Sequence, residues 1–387
     1  MRLSYKFRIY PNKQQALQLT SVFNFCRFLY NCSLEERISF YTKYNKSLTY
    51  NMQAAELAEV KAAFPEEAEH IYSQTLQAVL KQLDSAYQGF FRRVKNGEDP
   101  GFPRFKNAER FRSILFPQCN LKSGGVKRLD NDKIRIYGIP GEVKTVWHRE
   151  LQGDCKTVRI VKQGEKYFLI ASCDNVPVKL LPKTGKTTAI DLGLNSFITD
   201  NQGEKFYAPK PYKTAKEKLA YLNRKLANKK RGSNNRKRVK NQLVKAYEKI
   251  TNIREDFQHK LANKLLTEND TIIIENLNVK KMMESESFTV SKANIMDASW
   301  SSFAAKLAYK AERAGKLLIE VNPANTSKTC SGCGKIKEMT LADRTYHCEA
   351  CGLELDRDHN AALNILRLGM SLAASKDASE ASAFRPR

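Results

Sequence analysis

Four cysteines stand in two Cys-x-x-Cys pairs, Cys330-Ser331-Gly332-Cys333 and Cys348-Glu349-Ala350-Cys351, separated by fourteen residues. Thiolates at this spacing close a tetrahedral Zn²⁺ site, and the glycine that follows each pair, Gly334 or Gly352, suits the tight turn such a site needs. A redox dithiol is the competing reading, but two pairs at ribbon spacing favour zinc. Four thiolates leave no open coordination position, so this metal is expected to be structural, and His347 beside Cys348 is not needed as a ligand. Carboxylates form a second set. Asp191 follows Ala189-Ile190 and precedes Gly193, Glu275 follows Thr271-Ile272-Ile273-Ile274 directly, and Asp358 lies in Asp356-Arg357-Asp358-His359-Asn360-Ala361-Ala362. Each alone reads as a cap or a surface charge. Together, carboxylates leaving two apolar strands and one helix start fit a pair of Mg²⁺ ions ~3.5–4 Å apart, which activate water and stabilise the leaving oxygen in phosphodiester hydrolysis.

Charge points to the substrate of such chemistry. The 387 residues carry 66 Lys and Arg against 41 Asp and Glu, a net charge of +25. An excess of this size implies a polyanionic partner and argues against a small acidic metabolite as the only ligand. The segment Lys213–Lys249 holds fourteen Lys and Arg against two Glu, roughly half of the excess, with Lys229-Lys230-Arg231 and Arg236-Lys237-Arg238 at its centre. Pairing between residues four apart on a helix cannot neutralise so one-sided a run, so phosphate binding is the better reading than a merely solvated face. Aromatic and basic residues interleave in Phe90-Phe91-Arg92-Arg93 and Phe102-Pro103-Arg104-Phe105-Lys106, where stacking on bases and ordinary packing are equally open. No apolar run reaches the ~20 residues of a membrane span, and the start of the chain lacks a signal-peptide apolar core. A cytoplasmic protein is expected, with its nine cysteines reduced rather than paired.

The elements that must position these residues follow from periodicity. Leu3, Tyr5, Phe7 and Ile9 alternate with polar and basic residues, a strand with one buried face. Asn12 and Gln15 predict a capping box before a helical run through Leu17, Val22, Phe25, Cys26, Leu29 and Tyr30, and Leu76–Phe91 repeats with helical period. Short alternating stretches from Arg112 to Asp174, with a hairpin turn at Gln163-Gly164-Glu165, predict a small β domain that takes in the first strand. After a linker at 176–182, the order β-β-β-α-β-α-β, with two basic helices broken at Gly232-Ser233-Asn234-Asn235, predicts a mixed α/β sheet. A frayed tail is expected over 369–387.

The joint pattern of Ala189-Ile190-Asp191-Leu192-Gly193, Ile274-Glu275-Asn276-Leu277, Asp297-Ala298-Ser299-Trp300, the two cysteine pairs and Asp356–Ile365 resembles the transposon-encoded TnpB family, relatives of the type V CRISPR effectors. The resemblance extends to Tyr10-Pro11-Asn12, Cys26–Asn31 and Gly101–Phe105, and covers the chain up to about Leu368. It implies an RNase H-like (RuvC) nuclease core over 184–368 with a zinc ribbon inserted at 325–354, a helical recognition lobe over 11–111, and a β-barrel wedge domain built from 1–10 and 112–180. It further implies an RNA-guided endonuclease with Asp191, Glu275 and Asp358 as its catalytic, Mg²⁺-binding carboxylates. Asp358 is preferred to Asp356 because it precedes x-Asn-Ala-Ala in the family's motif. A transposon-derived guide RNA and double-stranded target DNA are the implied partners, with 5′-phosphate and 3′-hydroxyl products. Tyr50, Gln77 and Ser113 stand where relatives read a short duplex motif next to the target.

Other classes stay open at this level. A guide-directed repressor would bind without cutting, although such proteins typically lose one of the three carboxylates, and all three are intact here. A transposition protein that joins DNA would need a nucleophile motif that the sequence does not display. A plain RNA-binding zinc-ribbon protein would leave the carboxylates without a role.

Overall fold

The computed structural model describes residues 1–284, 292–340 and 343–383, and these divide into two compact units, Met1–Pro177 and Val178–Arg387. In the first unit the alternation at the start of the chain produces strand β1 (Leu3–Tyr10), with Tyr5, Phe7 and Ile9 buried and Ser4 and Lys6 turned outward. Asn12 then caps helix α1 (Lys13–Tyr44). Its side chain accepts from the Gln15 backbone at 2.8 Å, and the Gln15 side chain accepts from the Asn12 N–H at 2.9 Å, the reciprocal box expected from the sequence.

Three short helices, α2 (Tyr50–Ala55), α3 (Leu57–Ala63) and α4 (Pro65–Glu69), lead to the amphipathic α5 (Ser73–Lys95). Strands β2 (Ser113–Pro117), β3 (Val126–Leu129), β4 (Lys133–Ile136), β5 (Val143–Val146), β6 (Asp154–Gln163) and β7 (Lys166–Asp174) join β1 in one antiparallel sheet ordered β2-β6-β7-β1-β5-β4-β3. The first strand of the chain thus lies at the centre of the sheet, and β2 and β3 form its edges. Gly164, at φ +60°, supplies the turn between β6 and β7. One continuous apolar core runs from Leu19, Leu29 and Leu76 on the helices to Phe7, Ile160 and Leu169 on the sheet, so helices and strands of this unit are stabilised together.

The second unit is built on a five-stranded sheet. Strands β8 (Thr187–Leu192), β9 (Ile198–Asp200) and β10 (Lys205–Phe206) form an antiparallel meander. Helices α6 (Pro211–Ala227) and α7 (Asn234–Glu268) follow, with Ser233 accepting from the Arg236 N–H as the cap of α7. Strand β11 (Thr271–Glu275) pairs parallel to β8; then come α8 (Val279–Glu284), α9 (Lys292–Ala298) and α10 (Trp300–Ala314), and β12 (Leu317–Val321) pairs parallel to β11. The order is β10-β9-β8-β11-β12.

Period-2 alternation sends Ile272 and Ile274 to one face, against Leu261, Leu265, Phe303 and Leu307 of α7 and α10. Ile273 points to the other, with Ala189, Ile319 and Ile365. That second face is covered by α11 (Arg357–Ala383), reached through the hairpin of β13 (Thr345–His347) and β14 (Glu354–Asp356). Where a frayed tail was expected from residue 369, α11 continues to Ala383, and 384–387 lie outside the described residues. Gly369 is buried against Ile273, where even a Cβ would come within 2.4 Å of that side chain, so close helix–sheet packing holds the helix well past Leu368. Among the described residues no helix is long and apolar enough to cross a membrane.

Candidate active site and metal centre

Parallel register brings the first two carboxylates together. Ile274 pairs with Ile190, so Glu275 and Asp191 are the next residues along neighbouring strands, at the same end of the sheet. Both are buried, at 7% and 8% exposure. Asp358 enters from the first turn of α11, and its Oδ2 accepts from Ser196 Oγ at 3.4 Å, while Ser196 Oγ lies 2.9 Å from Thr199 Oγ1 on β9. Burial, the charge of Glu275 and then that of Asp358 push the Asp191 carboxyl well above the usual range, against the smaller opposing effects of Arg357 and the Leu192 N–H. Burial likewise raises Glu275, offset in part by the hydrogen bond that Thr326 Oγ1 donates to its Oε1.

Asp356 has a different task. Its Oδ1 accepts from the backbone N–H groups of Asp358 and His359 at 3.1 and 3.2 Å, which caps α11, and its Oδ2 takes Lys205 Nζ at 2.6 Å. Pairing and capping hold its carboxyl below the ordinary range despite burial, the largest single influence on it. One aspartate is consumed in starting the helix, and the one two residues on faces Asp191.

The cysteines form a second centre. One ligand atom from each of Cys330, Cys333, Cys348 and Cys351 lies within 4.8 Å of every other, and the Cys330–Cys351 and Cys333–Cys348 sulfurs are 3.6 Å apart. A tetrahedron with ~2.3 Å Zn–S bonds has edges of ~3.8 Å, so the donor set fits zinc. Backbone N–H donation from Cys351 brings the Cys348 thiol down to about 6. Among the described residues this is the group of Cys, His, Asp and Glu ligand atoms that gathers so closely; the carboxylates of Asp191, Glu275 and Asp358 are more widely spread. A buried Asp191 carboxylate that faces the charges of Glu275 and Asp358 nevertheless calls for a compensating cation, and an all-oxygen donor set suits a hard one such as Mg²⁺.

Residues that sequence reasoning passed over tie the two centres together. Asn360 and Asn364, four apart on α11 and almost fully buried, both donate to the Thr329 carbonyl, at 2.8 and 2.6 Å. Asn364 also holds the Thr326 carbonyl at 2.9 Å, and Asn360 accepts from the Ser331 N–H. The segment that opens the cysteine ribbon is thereby clamped to the helix carrying Asp358, with Thr326 reaching Glu275. Two asparagines four apart amid Ala361, Ala362 and Ile365 were the available signal, since buried amides need partners.

The sequence-predicted nucleic-acid residues have separate surroundings. Lys230, Arg231, Lys237 and Arg238 are exposed and Lys229 is half-buried around the α6–α7 turn, whereas Arg236 is turned inward, its Nη1 donating to the carbonyls of Leu226 and Lys229. In the first unit Tyr50 is half-buried at the start of α2, Gln77 is exposed on α5, and Ser113 on edge strand β2 lies 3.2 Å from Arg159 Nη1. Asp297 of the Asp-Ala-Ser-Trp motif accepts from the Tyr212 N–H at 3.2 Å and so caps α6, which has no side-chain cap of its own.

The fold and site define a mixed α/β protein in which a four-thiolate ribbon is locked onto a buried carboxylate cluster. The chain belongs to the TnpB family. Residues 172–286 match the family model OrfB_IS605, described as a probable transposase; 300–365 match a Cas12f1-like TNB domain; and 1–47 match a helix-turn-helix domain, a span that here forms β1 and the single long helix α1. The chain is 30% identical over 387 residues to the putative RNA-guided DNA endonuclease InsQ of Escherichia coli K12, covering 96% of this chain and 93% of that one. It is 28% identical over 386 residues to a putative RNA-guided DNA endonuclease of Streptomyces pristinaespiralis, with 97% and 92% covered. The fold is also that of Cas12f1 in its cryo-EM complex with sgRNA and target DNA, at TM-score 0.56, 16% identity, and 92% and 83% coverage.

Proposed function

We propose that the protein is an RNA-guided, Mg²⁺-dependent DNA endonuclease. It would cut double-stranded DNA complementary to a transposon-derived guide RNA, next to a short adjacent motif read by the first unit. The observation that carries this reading is the meeting of Asp191, Glu275 and Asp358 from two parallel strands and a helix start. The strand order of the second unit, three antiparallel strands followed by two parallel to the first, fits an RNase H-like (RuvC) core, and the similarity to putative RNA-guided DNA endonucleases supports the activity.

Asp191, Glu275 and Asp358 would hold two Mg²⁺ ions, which when bound supply Lewis acidity at the scissile phosphate and an activated water. The protein's part is placement. Asp191 is paired with Thr199 on β9 and Glu275 with Val321 on β12, Thr326 occupies one oxygen of Glu275, and Ser196 orients Asp358. The cysteine ribbon would hold one structural Zn²⁺. Guide RNA would lie on the basic surface that includes Lys229, Lys230, Arg231, Lys237 and Arg238, with Tyr50, Gln77 and Ser113 toward the duplex motif.

The test uses purified protein with its co-purifying RNA and a matched plasmid. Linear product is expected only with matched guide and Mg²⁺, and Asp191→Ala is expected to abolish it while RNA and DNA binding persist. Full cutting by that variant would remove the carboxylate assignment, and binding without cutting by the native protein would make it a repressor.

A further inference from the structure

A cavity of about 740 Å³ opens beside Gly193, Leu194 and Asn195, the residues that follow Asp191 out of β8. Its other walls carry Lys210, Lys213 and Lys216 at the start of α6, and Arg344. Lys213 and Lys216, three apart on α6, follow one face of the helix with a rise of ~4.5 Å between them. All three lysines are exposed, and among the described residues none of them lies within ion-pair distance of a carboxylate. Lys210 adopts a left-handed backbone, φ +44°, at the entrance to the helix. Arg344 gives both terminal nitrogens to the Asn195 side-chain oxygen, at 3.0 and 3.1 Å, once that amide is oriented to accept them.

The one acid in the lining, Asp297, has a side chain that is 9% exposed. It is already held by the Tyr212 N–H, lies 3.9 Å from Arg254, and leaves Oδ1 without a hydrogen bond. A cavity rimmed by four cationic side chains, opening two residues from Asp191, has the chemistry of a nucleotide subsite.

We infer that this cavity seats the sugar-phosphate and base of nucleotides flanking the scissile bond, with Lys213 and Lys216 as positioning residues for the strand being cut. The inference rests on the nuclease reading. A solvated lysine face would equally expose these side chains, but it gives no reason for a cavity that opens on the loop leaving Asp191.

The test is cleavage of a matched, pre-opened DNA target by the intact protein–RNA complex, comparing the native chain with Lys213→Ala/Lys216→Ala, two exposed changes outside the carboxylate site. KM is expected to rise about tenfold at low salt with kcat within about twofold, and the dependence of log affinity on log salt to flatten by ~1.4, the single-strand value for two lost phosphate contacts. Neutral methylphosphonates at the phosphates flanking the cut should reproduce the loss in the native chain and add nothing in the variant. Unchanged KM, salt slope and cut positions, or fully additive losses, would overturn the subsite. So would a fall in co-purified RNA, which would assign the lysines to the guide. If the native complex with Mg²⁺ cuts nothing, it is the nuclease reading that falls, and binding of the same target with the same salt-slope difference still tests the subsite.

Discussion

The two polar centres of the second unit are built in opposite ways. The four thiolates lie within 22 residues of sequence, close on one another, and pack around a small core of Cys330, Tyr346 and Cys348. The three carboxylates are drawn from β8, β11 and α11, remain more widely spread, and meet only because two parallel strands end in register while a helix begins opposite them. The first is a local structure that a metal would complete. The second is a product of the whole sheet, and it concentrates like charge that the fold itself does not neutralise. On the proposed function, a stabilising centre and a reactive one are separable by whether the protein satisfies its own charges.

The sharpest break of that contrast is Asp191→Asn. With Asp191 raised above its unfolded value chiefly by burial, the folded state binds more protons than the unfolded one over the interval between those two values, so stability falls as pH rises through it. Above that window the charge opposes folding. The metal-free Asp191→Asn chain is therefore expected to melt higher than the native chain at neutral pH, and to lose both its cleavage and most of the thermal shift that Mg²⁺ gives the native chain. A lower melting temperature for the variant without metal would show that the carboxylate cluster is not held under repulsion.

This asymmetry also explains what could be read from sequence. The cysteine pairs announce themselves because the ligand spacing is the structure. The apolar run before Glu275 and the Asp191-x-Gly193 exit predicted strand ends, and Asn12 with Gln15 predicted the cap of α1, all of them short-range rules. Convergence of Asp191 with Glu275 depends on a register set across 83 intervening residues, which no local pattern encodes. Arg236 read as one more phosphate ligand because charge counting ignores direction, whereas its Nη1 turns in to the carbonyls of Leu226 and Lys229. The tail was expected to fray because the end of the chain is small and polar, whereas α11 continues to Ala383, with Gly369 in close contact with Ile273.

Next in size comes Cys348→Ser. Losing one buried thiolate should lower bound zinc well below one per chain and loosen the ribbon core around Tyr346, whose hydroxyl spans the Lys328 and Lys335 carbonyls. Because Asn360 and Asn364 fasten the ribbon's opening segment to α11, the disturbance should reach Glu275 through Thr326, with cleavage falling on the order of 100-fold. Metal analysis alongside cleavage assays decides the point. A zinc-depleted chain that cuts at the native rate would make the two centres independent.

Thr326→Val is the smallest change and the most direct test of that coupling, since it removes one hydroxyl and keeps the shape of the side chain. Thr326 donates to Glu275 Oε1, and this hydrogen bond opposes the rise that burial imposes on the Glu275 carboxyl. Without it the carboxylate form is less favoured, so a metal must compete harder with a proton. The half-saturating Mg²⁺ concentration should increase ~10-fold, the usual range for losing a partner that orients a metal ligand. Cleavage at saturating Mg²⁺ should stay near native, and the acidic limb of the pH–rate profile should move to higher pH. Zinc content should not change, because the Thr326 carbonyl held by Asn364 is backbone and survives the substitution. If instead kcat at saturating Mg²⁺ collapses while metal affinity is untouched, Thr326 acts on the reacting strand rather than on Glu275, and the link between ribbon and carboxylates runs through the substrate.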